Sequence, residues 1–80
     1  MLQMVFRSFK SKNLVRVVAK PKDPVTTIQW LRWSPKRETY VVSKTVKTDT
    51  PDELDKVLVK IKNSYKFDGV YNLESIPVED

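Results

Sequence analysis

Two tryptophans three residues apart, in Thr26-Thr27-Ile28-Gln29-Trp30-Leu31-Arg32-Trp33, sit in a run of strand-forming residues that also carries cations. With a side-chain period of two, Ile28, Trp30 and Arg32 share one face, and Gln29, Leu31 and Trp33 share the other. If Leu31 and Trp33 lie under a helix with Val15, Val17 and Ala19, the opposite parity collects Arg7 and Phe9, Arg16 and Lys20, Trp30 and Arg32, and Tyr40 and Lys44. An open sheet face of aromatics interleaved with cations suits single-stranded nucleic acid, because every base has a π-face to stack and every phosphate a charge to neutralise. Trp30 and Tyr40 are the expected stacking residues. Arg7, Arg16, Lys20, Arg32, Lys36, Arg37 and Lys44 are the expected phosphate ligands, with Ser34-Pro35-Lys36-Arg37 adding charge at the rim. The competing reading makes the cations edge protection and the tryptophans core or dimer packing.

Other chemistry is sparse. The chain has no Cys and no His, which removes thiolate and imidazole metal sites, disulfides, and cysteine or histidine-assisted nucleophiles. Its single glycine, Gly69, leaves no glycine-rich loop to cradle a phosphate. Asp49, Asp52, Glu53 and Asp55 resemble a hard-cation cluster but are explained as the acidic first turn of a helix. No carboxylate pair stands in an acid/base arrangement. The expectation is a protein that is not an enzyme, with no cofactor, no metal and no small-molecule substrate.

The elements that must position these residues follow from local signals. Residues 1–48 hold eleven Lys and Arg against two acids, a net +9, while residues 49–80 hold four Lys against eight acids, a net −4. The basic part reads as four strands near residues 2–10, 14–20, 25–33 and 38–47, joined by short Pro-, Asn- and Ser-bearing turns into an antiparallel meander. Thr50-Pro51-Asp52-Glu53 gives a capping hydroxyl, Pro at the first helical position and Glu at the third. Leu54, Val57, Leu58, Ile61 and Tyr65 then recur at helical spacing, so a helix over 50–66 must bury that stripe against the sheet. Asp68-Gly69 makes a turn, and residues 67–80 form a short strand, a packed arm or a partner-binding tail. The chain of 80 residues therefore fits one α+β domain, a four-stranded meander followed by one helix. Glu74, Glu79 and Asp80 offer an acidic tip able to compete for the basic face. No run of residues suits a membrane span or a secretion signal, which places the chain in the cytoplasm.

The segment Ile28-Gln29-Trp30-Leu31-Arg32-Trp33-Ser34-Pro35, together with Lys44-Thr45-Val46-Lys47-Thr48 before the Asp52-Glu53-Leu54 helix start, resembles the positive cofactor four family of transcriptional coactivators. The resemblance covers roughly residues 14–65. It implies single-stranded DNA binding as a homodimer joined through the helix, with Arg32, Lys44 and Lys47 as DNA contacts. The chain departs from that pattern in having no glycine before Gly69 and in extending past the family's helix. The alternative reading is a small regulatory module, of the kind phages encode, that docks on an acidic protein through the basic face or the tail.

Overall fold

In a computed structural model that describes residues 1–79, the chain runs through β1 (Leu2–Ser8), β2 (Leu14–Ala19), β3 (Thr26–Ser34), β4 (Thr39–Thr48), α1 (Pro51–Lys62), β5 (Tyr65–Asn72), a 3-10 turn (Leu73–Ser75) and β6 (Val78–Glu79). The expected four strands all form, but the sheet has six. Its order is β5-β1-β2-β3-β4-β6, curled into a half-barrel, antiparallel except for the parallel β4–β6 pair. The four-stranded meander with a trailing arm is therefore overturned. Residues 65–72 return to pair with β1 along its whole length, an association between segments about sixty residues apart that no local signal encodes.

The helix starts where its cap predicts. Thr50 accepts from the Glu53 N–H at 3.3 Å, Pro51 occupies the first turn, and Lys60 and Lys62 lie in the last. It ends at Asn63, earlier than expected, through tight i→i−3 bonds from Asn63 to Lys60 (3.3 Å) and from Ser64 to Ile61 (3.1 Å). Tyr65, read as the last residue of the helical stripe, instead opens β5 and reaches the same core from the sheet.

The sheet has a core on each side. Under the helix, Phe6, Val15, Val17, Ile28 and Ile61 are buried, with Trp30, Leu54, Val57, Leu58 and Tyr65 packed around them. Across the sheet, Val5, Leu14 and Leu31 are buried beneath Tyr40, Val42, Ile76 and Val78. The expected faces are corrected accordingly. Val15 pairs with Trp30 and Val17 with Ile28, and residues directly opposite in an antiparallel ladder share a face. Ile28 and Trp30 therefore lie under the helix with Val15 and Val17, while Leu31 faces the other way and Ala19 is exposed.

The second core exists because the chain crosses it. After β5 at one edge, residues 73–77 pass over the face and deliver β6 to the opposite edge. Four hydrogen bonds fix this strap: Leu73 N–H to Met1 O at 2.9 Å, Gln3 Nε2 to Asn72 O at 3.0 Å and Leu73 O at 3.4 Å, and Tyr40 N–H to Pro77 O at 3.0 Å. Gln3, the second residue of β1, is buried and makes two of them. Residues 67–79 are thus part of the fold and not a tail; Asp80 lies outside the described residues.

Candidate nucleic-acid interface

The expected cation and aromatic face is divided by one extra residue. Trp30 pairs with Lys44 but Leu31 with Val42, so Ser43 is a β-bulge, and its hydroxyl donates to Trp30 O at 3.1 Å. A bulge inverts the alternation, which sends Lys44 to the helix side and Tyr40 to the opposite side. Trp30, expected on an open face beside Tyr40, lies against the helix-side core with Lys44 Nζ 5.0 Å from its ring centroid. That cation–π contact places Lys44 over one face of the ring. Trp30 is therefore a packing residue.

The other expected contacts disperse as well. Arg16, in the middle of the strap side, donates to Gln29 Oε1 at 2.8 Å, and Gln29 reaches Thr45 at 3.4 Å, a polar row across three strands. Arg7 stands at the far edge with Asp68, 3.4 Å away. Lys20 borders an open hollow of about 610 Å³ formed with Met1 and the 21–24 turn, where no aromatic ring lines the wall. Lys47 is opposite Thr27, at the end of the ladder away from the β3–β4 turn.

What the fold does bring together is the tip of the β3–β4 hairpin. An open cleft of about 670 Å³ is lined by Arg32, Trp33, Ser34, Pro35, Lys36, Arg37 and Val41. Trp33 meets Tyr40, its ladder partner, edge to face with ring centroids 4.9 Å apart at 66°. Both rings are only partly buried, Pro35 keeps the turn clear of the ladder, and Glu38 closes it with φ of 52°. Arg32, Lys36 and Arg37 are all exposed. Arg37 Nη1 contacts Glu79 Oε2 at 2.9 Å, an exposed pair that restrains the guanidinium weakly. Among the described residues no acid pairs with Arg32 or Lys36.

Trp33 shares the face of Leu31 as its parity predicts, but that face lies away from the helix, and Trp33 is only partly buried. Its signal was position: one residue before Ser34-Pro35, it falls where the strand ends and cover runs out. No group of three or more metal-ligating side chains occurs among the described residues, and no described helix is long and apolar enough to cross a membrane. Comparison with protein-family models, with curated proteins and with solved structures gives no match for this chain.

Proposed function

We propose that this protein is a non-enzymatic nucleic-acid-binding module that takes single-stranded nucleic acid at the tip of the β3–β4 hairpin. The observation that carries the reading is partly exposed Trp33, which lines the cleft with Arg32, Lys36 and Arg37 and is braced edge to face by Tyr40. A base stacks on the accessible ring surface, at about 1–3 kcal/mol per base, and the three cations follow the phosphates on either side. The cleft is open, which gives a flexible strand access to the Trp33 ring. The net charge of +5 favours association with any polyanion and makes it salt-dependent. The test is a fluorescence titration with a labelled single strand and its duplex at two salt concentrations. Salt-sensitive binding that prefers the single strand and quenches tryptophan is the expected result; no binding at low salt overturns the reading.

A second reading has its own observation. Glu79, on an extended segment paired with β4, already sits on Arg37. The hairpin tip thus accommodates a carboxylate on a strand, as an acidic protein partner would present it. Binding of a polyglutamate peptide but not of oligonucleotides in the same titration favours this reading over the first.

A further inference from the structure

The two edges of the sheet are built differently. At the β4 edge, β6 covers Tyr40 and Val41, and Lys44 and Lys47 charge the strand beyond it, devices that discourage another strand from pairing. The β5 edge has no covering strand and carries one lysine, Lys66, beside the bulge at Asp68. On the helix side of β1 and β5, Leu2, Met4, Phe67 and Val70 are 57%, 38%, 50% and 56% exposed. Met4 pairs with Val70, and Phe67 with Phe6, so these side chains form one strip along the edge. Leu58 and Lys62 of α1 wall part of the strip as a groove with Met4, Phe6 and Phe67.

We propose that this edge is the contact surface for a second copy of the chain, with β5 pairing antiparallel to β5 about a two-fold axis at Phe67. Charge complementarity between two copies selects this occupant: the only ionic residues of β5 are Lys66 and Asp68, one of each sign. Pairing about Phe67 sets Lys66 of each copy opposite Asp68 of the other. Arg7 and Tyr71 both contact Asp68 through Oδ2, which leaves Oδ1 for that contact. The two Phe67 rings then meet at the axis, each already backed edge-on by Phe6 at 5.6 Å, and the groove beside Leu58 closes over them. The same patch on both copies gives a closed dimer, and the sheet becomes continuous across it. A standard interface takes about 800 Å² from each partner, roughly one-seventh of the 5712 Å² surface of this chain, which one side of the molecule provides.

Analytical ultracentrifugation of the nuclease-treated full chain tests the proposal without nucleic acid, so its failure is separate from any failure of the hairpin-tip reading. The wild type is expected to sediment as a dimer. Val70→Lys and Met4→Lys are each expected to raise the dimer dissociation constant about 100-fold or more, because each places two lysines against apolar surface. Thr45→Lys, on the protected edge, is expected to leave it unchanged. Thermal melts identify a variant that fails to fold, in which case the other decides. A monomeric wild type at millimolar concentration, or a dimer indifferent to both variants, overturns the proposal.

Discussion

Trp33 and Tyr40 lie directly opposite each other in the β3–β4 ladder and pack edge to face, 4.9 Å between ring centroids. Tyr40 braces the Trp33 ring where it lines the basic cleft, so the aromatic surface there is presented in a fixed orientation. Trp30, three residues earlier, faces the helix-side core beneath Lys44. The two tryptophans therefore have different duties, and substitution separates them. Trp33→Ala is expected to weaken single-strand binding about tenfold, within the range for loss of one stacked base. Trp30→Phe is expected to leave affinity unchanged and to lower thermal stability slightly. Titrations and melts of both variants check this.

The cations of the tip act through charge. Lys36→Ala and Arg32→Ala are each expected to reduce the slope of log affinity against log salt by about 0.7, the value for one phosphate on a single strand. Lys20→Ala, beside a hollow without aromatic rings, is expected to leave the slope nearly unchanged. Titrations at four salt concentrations give the slopes.

Asp68 couples stability to pH at both ends of the scale. The Tyr71 hydroxyl donates to Asp68 Oδ2 at 2.8 Å and Arg7 Nη2 lies at 3.4 Å, which together hold the carboxyl below its ordinary 3.8 against a smaller effect of desolvation. The same bond to Asp68 raises the Tyr71 phenol above its ordinary 10.0. A depressed acid contributes stability above pH 3.8, lost as pH falls through its folded value; a raised phenol contributes below pH 10.0, lost as pH rises through its folded value. Tyr71→Phe is expected to flatten both limbs of the stability profile by lowering stability across the neutral region, with little change at the acid and alkaline extremes where the wild type has already lost the contribution. Denaturant melts across pH, with tyrosinate absorbance followed in parallel, measure it.

Gly69 is the one position where the chain requires glycine. It follows the bulge at Asp68 with φ of 157°, and a Cβ there would stand 3.3 Å from the Tyr71 ring. Gly69→Ala is expected to destabilise the fold by about 1–3 kcal/mol through backbone strain and displacement of that ring. Urea unfolding gives the value.

Ile61 is the single fully buried residue of α1, set against Phe6, Val15, Val17 and Ile28. Ile61→Ala is expected to cost about 2–5 kcal/mol, a large share of what a domain of this size has. A loss below about 1 kcal/mol by urea unfolding would mean that the helix is not seated on the sheet in this way.

Much of this architecture was legible because its causes are local. The Thr50-Pro51-Asp52-Glu53 cap, the apolar stripe behind it and the Pro-bearing turns between β-branched runs act over a few residues, and they placed the helix start and the first four strands. The basic hairpin tip was legible too, since Ser34-Pro35-Lys36-Arg37 is contiguous. Tertiary structure decided what those signals leave open. A period of two tells which side chains alternate but not which side meets the helix; pairing of Val15 with Trp30 settled that. The bulge at Ser43 separates Tyr40 from Lys44, and no composition marks it. Residues 65–79 have weak local preference, and they become β5, strap and β6 only because β1 offers an edge and Val5, Leu14 and Leu31 need cover. Local backbone preference is written residue by residue, whereas the cover of a sheet face depends on whichever distant segment arrives to bury it.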